Sequence, residues 1–159
     1  MVVARKLKGF LDERKVGYHV LRHHERFTSS EIAQALHVPG QELAKVVMVK
    51  VDKGLAMAVL PANVMVNLDA FAKAAGSSKA ELATEDEFKG TFPDCEVGAM
   101  PPFGNLYGVD VYVDTLLTQD REIVFEAGNH HEAVKLAYED FARLVHPKVD
   151  DFAALQTAG

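Results

Sequence analysis

Apolar and polar positions along the chain follow two different periods, which together predict a mixture of strands and helices. Alternating or continuous apolar runs predict strands at residues 18–21, 44–51, 55–60, 80–83, 109–113 and 122–126. Apolar residues at helical spacing, flanked by capping signals, predict helices at residues 4–15, 28–36, 67–75 and 129–145. Strands and helices do not alternate strictly, so the order favours an α+β fold in which helices pack around a mixed, largely antiparallel sheet.

Turn and capping residues define the ends of several predicted elements. Asp52-Lys53-Gly54 separates the second and third strands, so these strands are expected to form a β-hairpin. Thr84-Glu85-Asp86-Glu87 is a capping box and predicts a further helix start. Asn129 as the N-cap and Pro147 beyond the end predict that residues 129–145 form the longest helix.

Lys45 is the most informative residue of the strand at 44–51. Strand side chains alternate between faces, so Lys45 points the same way as the three valines at positions 47, 49 and 51, whereas Lys50 points the other way. An ammonium group cannot lie in an apolar interior unless it is paired or loses its proton. Lys45 therefore either extends from the strand end to water or reaches into a cleft, and the strand pattern leaves both alternatives open.

Length and composition predict one globular domain that spans residues 1–159. The chain is 48% hydrophobic and 25% charged, and it contains no apolar run long enough to cross a membrane. A signal peptide is not expected at the N-terminus, and the single cysteine fits a reducing compartment, so we expect a cytoplasmic protein. The net charge of −6 argues against general nucleic-acid binding, and DNA is not an expected partner.

The residues that most often hold metals or attack substrates give no convincing site. The histidine pairs His23-His24 and His130-His131 are adjacent in sequence, and neighbouring residues do not direct their side chains at one metal ion. Cys95 has no sequence neighbour that would lower its pKa, so a semi-buried thiol is favoured over a nucleophile. Phosphate-loop and dinucleotide-binding motifs are absent from the sequence. We therefore predict neither a metal nor a cofactor.

The segment Glu96–Gly104 combines glycines with two consecutive prolines. Prolines restrict the backbone, and glycines allow a ligand to approach it closely. Such a stiff loop can present its backbone groups to a ligand, although a rigid connector before the next strand would show the same composition.

Together these motifs resemble the YbaK/prolyl-tRNA-synthetase-associated editing-domain family. The similarity covers roughly residues 5–152. It consists of the lysine strand Lys45–Val49, the Gly-x-x-x-Pro loop Gly98–Pro102, the aspartate-ending strand Val111–Asp114 and the glycine turn Phe125–His130. The resemblance implies a curved, mostly antiparallel mixed sheet flanked by helices. It also implies a free-standing deacylase that hydrolyses the ester bond of mischarged tRNA in proofreading of translation.

The resemblance assigns roles to individual positions. Lys45 corresponds to the lysine that contacts the substrate, and we predict that it is the catalytic residue. The implied substrate-binding residues are Gly98, Ala99, Met100, Pro101, Pro102, Asp114, Gly128, His130 and Thr28. The implied partners are the acceptor end of aminoacyl-tRNA and, as a candidate, prolyl-tRNA synthetase.

A second hypothesis is a binding or regulatory module that keeps the fold without turnover. Such a module would bind charged tRNA or a tRNA synthetase. The presence of Lys45 and of the complete Gly98–Pro102 loop favours the deacylase.

Overall fold

The computed structural model describes residues 4–22 and 39–155, and the elements below lie in these two segments. The helices are α1 (Arg5–Glu13), α2 (Leu68–Ala74), α3 (Glu85–Phe88) and α4 (Tyr138–Val145). The strands are β1 (Tyr18–Arg22), β2 (Ala44–Val51), β3 (Gly54–Pro61), β4 (Val64–Val66), β5 (Ala80–Leu82), β6 (Asp110–Asp114), β7 (Glu122–Glu126), β8 (Glu132–Ala137), β9 (Lys148–Asp150) and β10 (Ala153–Leu155). None of the helices in the described segments has the length and hydropathy needed to span a membrane.

Within the described residues the strands form three sheets. The largest has the order β5-β2-β3-β6-β9, in which β2 runs antiparallel to β5 and β3, whereas β6 runs parallel to β3 and β9. The second sheet, β1-β8-β7, and the pair β4-β10 are antiparallel. This arrangement confirms the predicted α+β class with a mixed, mostly antiparallel set of strands.

The predicted hairpin is present as β2 and β3, with Lys45 opposite Leu60 and Lys50 opposite Leu55. Its turn places Gly54 at φ +126°, a conformation that a glycine adopts without steric cost. The predicted capping box at α3 also forms. The backbone N–H of Glu87 donates to Thr84 Oγ1 at 3.3 Å, and the N–H of Thr84 donates to Glu87 Oε1 at 2.9 Å.

The main hydrophobic core holds the loop after Gly98 in place. Phe103 is fully buried and its ring packs against Phe125 and Phe141, with 5.5 Å between centroids in both pairs. Burying one such side chain contributes about 1.5–3 kcal/mol. Leu7 and Leu11 of α1 cover the same core. The backbone just before Phe103 is therefore anchored at its C-terminal end.

The prediction of one long helix over residues 129–145 is wrong. Residues 132–137 form β8, and only Tyr138–Val145 are helical. β8 is the central strand of its sheet and pairs with β1 on one side and β7 on the other. Val134 and Leu136 face the main core, while Ala133 packs in a separate cluster, which is the two-sided burial of a central strand. Pairing on both edges outweighs the local helical spacing of these residues.

Candidate functional site

A cleft opens where β2 and β7 separate. Leu43 pairs with Val124 in a parallel bridge, and the N–H of Val124 donates to the carbonyl of Glu42 at 2.9 Å. Two residues further along each strand are Lys45 and Glu126. The cleft between them has a volume of about 70 Å³. It is lined by Leu43, Ala44, Lys45, Val46, Gly98, Met100 and Glu126.

Lys45 reaches this cleft with a partly buried side chain. Burial lowers the pKa of its amino group below the ordinary value of a lysine. Within the described part of the chain Lys45 forms no ion pair, whereas Lys50 pairs with Glu87 at 2.9 Å on the other face of the strand. Of the two alternatives that the sequence leaves open, the structure favours a lysine in a cleft.

The backbone at Gly98 forms the opposite lip of the cleft. Gly98 has φ +87°, which few side-chain-bearing residues adopt. Its N–H donates to the thioether sulfur of Met100 at 3.3 Å, and sulfur is a weak acceptor. A ligand oxygen can therefore replace this contact at small cost.

Gly128 holds the same loop to the end of β7. Its N–H donates to the carbonyl of Ala99 at 2.8 Å, and its carbonyl accepts from the N–H of Glu96 at 2.7 Å. Gly128 has φ +103°, and a Cβ there would lie 2.6 Å from the Cβ of Ala4. The glycine is thus required both by the backbone conformation and by the close approach of the segment before α1.

His130 lies behind the loop and is buried rather than exposed in the cleft. Its Nε2 lies 3.0 Å from the carbonyl oxygen of Val97, and because a carbonyl only accepts, Nε2 carries the proton. Its backbone N–H donates to Glu96 Oε2 at 3.2 Å. The ring carbon Cε1 lies 3.6 Å from the point where a Cβ of Gly98 would lie. His130 therefore supports the loop from the side away from the cleft.

Glu126 is a lining residue that the sequence reasoning missed. Burial, with the nearby charge of Glu96 adding to it, raises the pKa of the Glu126 carboxyl to about 8. Its Oε2 is buried without a hydrogen-bond partner among the described residues, and it lies 3.9 Å from His130 Nδ1. The signal was present, because Glu126 is in phase with the buried Val124 on its strand, as Lys45 is with the valines of β2.

Comparisons with known proteins place the chain in a family. The aminoacyl-tRNA editing domain family matches residues 23–144. The chain belongs to the aminoacyl-tRNA editing domain family. No curated protein matches the sequence.

Solved structures share the fold of this editing domain at low sequence identity. A proposed trans-editing enzyme for prolyl-tRNA synthetase is 21% identical with a TM-score of 0.83, and the match covers 95% of this chain and 96% of that one. A hypothetical protein is 19% identical with a TM-score of 0.84, over 94% of this chain and 100% of the other. A proposed signal transduction protein from Marinobacter aquaeolei is 20% identical with a TM-score of 0.72, over 94% of this chain and 30% of its own.

The editing domain keeps some predicted site residues together and places others elsewhere. Lys45, Gly98 and Met100 line one cleft, while Ala99 lies buried directly between the two loop residues. Pro101 and Pro102 are buried beyond Met100 and are not among the lining residues. Thr28, with the helix predicted at residues 28–36, lies outside the described residues.

Asp114 does not line the cleft of the editing domain. It is buried, and Oδ1 accepts from the N–H groups of Phe152 and Ala153 at 2.7 and 2.8 Å. Oδ2 accepts from the N–H of Leu116 at 2.9 Å. The carboxylate thereby joins the end of β6 to the following turn and to the segment that enters β10.

Cys95 is a poor nucleophile in this editing domain. Burial raises the pKa of its thiol to about 11, and the neighbouring Asp94 carboxylate adds to that effect. Among the described residues no group of three or more His, Cys, Asp or Glu side chains is arranged to hold a metal ion. Among the described residues, Lys45, Glu126 and the loop backbone are the polar groups that line the cleft.

Proposed function

We propose that this editing domain is a trans-acting aminoacyl-tRNA deacylase that hydrolyses the ester bond of mischarged tRNA. The observation that carries the proposal is Lys45. Its amino group lies in a small, largely apolar cleft, without an ion pair to any described residue, opposite the backbone of Gly98. A positive charge held in such a place is suited to a substrate group that becomes negative during the reaction.

Ester hydrolysis develops negative charge on the carbonyl oxygen. Preorganised donors at that oxygen are usually the largest catalytic contribution. In the proposed mechanism the Lys45 ammonium and the Gly98 N–H both stabilise this oxygen. To do so, the Gly98 N–H gives up its hydrogen bond to the Met100 sulfur and donates to the substrate oxygen instead. Among the described residues, Ser, Thr, Cys and His do not line the cleft, and the proposed attacking group is water or the vicinal hydroxyl of the terminal ribose.

The cleft favours a small aminoacyl group. At about 70 Å³ it has room for a few water molecules only. Met100 and Val46 supply apolar walls. One methylene group in such a pocket changes discrimination by only ~1–3 kcal/mol, so the choice among small side chains depends on single lining residues.

The proposed substrate is recognised at the acceptor end, with prolyl-tRNA synthetase as a candidate partner. The basic residues of the N-terminal segment are Arg5, Lys6, Lys8, Arg14 and Lys15. Several have local partners: Lys8 pairs with Asp12 at 2.7 Å, and the Lys6 ammonium lies 5.0 Å from the Tyr107 ring centroid. Together with the net charge of −6, this argues against tight binding to the body of tRNA.

A panel of mischarged tRNAs, incubated with the protein in the presence and absence of prolyl-tRNA synthetase, tests the proposal. Release of one or a few small amino acids at catalytic protein concentrations is the expected result. Binding of charged tRNA or of the synthetase without release of any amino acid would contradict the deacylase. That outcome would instead favour the binding or regulatory module.

A further inference from the structure

Among the described residues, the cleft wall carries one acidic group, the carboxyl of Glu126, in addition to Lys45. The other described lining residues are apolar or glycine. A ligand that enters the cleft therefore meets one cationic and one acidic side chain within an apolar surround. Such a pair is suited to a small ligand that has a cationic group and an oxygen with negative character close together.

The backbone keeps Lys45 and Glu126 on different walls of the cleft. β2 and β7 leave the Leu43–Val124 bridge in the same direction, and the cleft lies between Lys45 and Glu126. No ion pair joins these two side chains in the described structure. Both residues line the cleft, and Glu126 Oε2 lies 3.9 Å from His130 Nδ1.

The surroundings of Glu126 leave its carboxyl poorly satisfied in the absence of a ligand. Its Oε2 has no hydrogen-bond partner among the described residues, and the carboxyl of Glu96 lies nearby. Both burial and this neighbour disfavour the ionised form. A cationic ligand group would reverse the balance, because it would pair with the carboxylate and lower its pKa.

We propose that Glu126 binds the α-ammonium group of the aminoacyl ester while Lys45 faces the ester carbonyl oxygen. This inference rests on the proposed function, since an aminoacyl ester carries both groups on adjacent carbons. It limits the substrate class to esters whose amino group is unblocked. N-acylated aminoacyl esters and peptidyl esters lack the cation and would leave Glu126 without a partner.

Non-hydrolysable analogues separate this recognition from turnover. The two ligands are 3′-deoxyadenosine derivatives that carry either an alanyl or a lactyl group on a 3′-amide, so that they differ only in ammonium against hydroxyl. Calorimetric titration at neutral pH is expected to show that the wild-type protein prefers the alanyl analogue by about tenfold or more, as a charge-assisted hydrogen bond implies. In Glu126→Gln this preference should fall to within about twofold.

Two further variants serve as controls for this comparison. Glu122→Gln changes an exposed carboxylate on the same strand, one that pairs with Lys135 at 3.6 Å, and should keep the full preference. Glu126→Asp keeps the carboxyl and should retain part of the preference. If Glu126→Gln does not fold, the affinity ratio of the alanyl to the lactyl analogue is compared between the wild type and Glu126→Asp. A lower ratio in Glu126→Asp supports the role of Glu126, and an unchanged ratio contradicts it.

Equal wild-type affinity for both analogues, or an unchanged preference in Glu126→Gln, would overturn the assignment of Glu126. Failure of the wild-type protein to bind either analogue would overturn it as well. Deacylation of mischarged tRNA is measured in parallel. A clear preference for the ammonium analogue without deacylation would contradict the proposed function and support the role of Glu126. Deacylation without that preference would support the proposed function and contradict the role of Glu126.

Discussion

Lys45 and Glu126 occupy equivalent positions on two parallel strands, each two residues beyond the Leu43–Val124 bridge, and they face one cleft from different walls. The chain brings them together from sequence positions 81 residues apart (126 − 45). Because the strands separate at this point, the two side chains do not pair with each other. The predictions below test this relationship and the loop that closes the cleft.

Lys45→Ala should remove most deacylase activity and leave a folded protein. The loss of one preorganised donor at the developing oxyanion typically costs about 10²–10³ in kcat. The measurement is single-turnover deacylation of the mischarged tRNA that the wild type hydrolyses best, together with thermal unfolding. Lys50→Ala is the matched control, because Lys50 is exposed on the opposite face of β2 and pairs with Glu87. A folded Lys45→Ala protein with near wild-type turnover would contradict the mechanism.

Gly98→Val should reduce activity more than its effect on stability explains. The position has φ +87°, so a β-branched side chain strains the backbone and displaces the N–H from the cleft. A Cβ at this position would lie 3.6 Å from His130 Cε1. Gly108→Val is the control: Gly108 has φ +73° with open space around it and lies outside the cleft lining. Both variants should lose about 1–2 kcal/mol of stability, and only Gly98→Val should lose deacylation.

Glu126→Gln should stabilise the protein at alkaline pH and not at acidic pH. Its folded pKa of about 8 lies above the ordinary 4.5, so the folded state holds an extra proton between these values. Stability of the wild type should therefore decline from about pH 4.5 to pH 8, and Glu126→Gln should lack that part of the decline. Glu96 and His130 face the same carboxyl and stay unchanged in the variant. Urea unfolding at both ends of this range measures the difference, which is expected to reach on the order of a few kcal/mol.

Glu122→Gln serves again as the control for this experiment. Its side chain is 44% exposed, against 14% for Glu126. The stability of Glu122→Gln should follow the wild-type pH dependence. A wild-type stability that rises between pH 5 and pH 8 relative to Glu126→Gln would show that Glu126 is ionised in the folded protein.

Asp114→Ala should act through stability rather than through the cleft. Its two carboxylate oxygens accept three backbone N–H groups, two of them from residues 152 and 153. Removing them leaves buried donors without partners, at a cost of about 3 kcal/mol or more. Thermal unfolding should show this loss, and activity per folded molecule should be little changed at low temperature. Lost activity with unchanged stability would instead support the substrate-binding role that the family resemblance implies.

Affinity for uncharged tRNA should be weak, with a Kd of about 10⁻⁶ M or above at physiological salt. The net charge is −6, and the densest basic stretch partly pairs within itself and with its surroundings. Fluorescence titration at two salt concentrations measures both the affinity and its salt dependence. Nanomolar affinity that is independent of the attached amino acid and falls steeply with salt would contradict this reading of the charge.

Local signals in the sequence were sufficient where an element depends on its own residues. The capping box at Thr84 and the hairpin at Asp52–Gly54 both formed, since each is held by bonds between residues close together in the chain. The phase of Lys45 among valines left two environments open for this lysine, water at the strand end or a cleft. These are short-range effects, and sequence spacing describes them well.

Asn129 is an example in which a local signal did not predict the element that follows it. Its side chain accepts from the N–H groups of His131 and Glu132 at 2.8 and 2.9 Å, as a helix cap would, yet the chain continues into a strand. β8 forms because β1 and β7 offer partners on both of its edges. One of these partners, β1, lies more than a hundred residues earlier in the sequence. No local pattern in residues 129–137 contains that information.

The same distinction holds for the cleft. The sequence by itself determined that Lys45 needs a special environment and that the Gly98 loop is stiff. Only the tertiary structure decided that Glu126 belongs beside them, that His130 supports the loop from behind and that Asp114 joins distant backbone segments. Strand and loop propensities depend on neighbouring residues, whereas the walls of a cleft are set by which strands pair and where they separate, and that choice is made by burial across the whole chain.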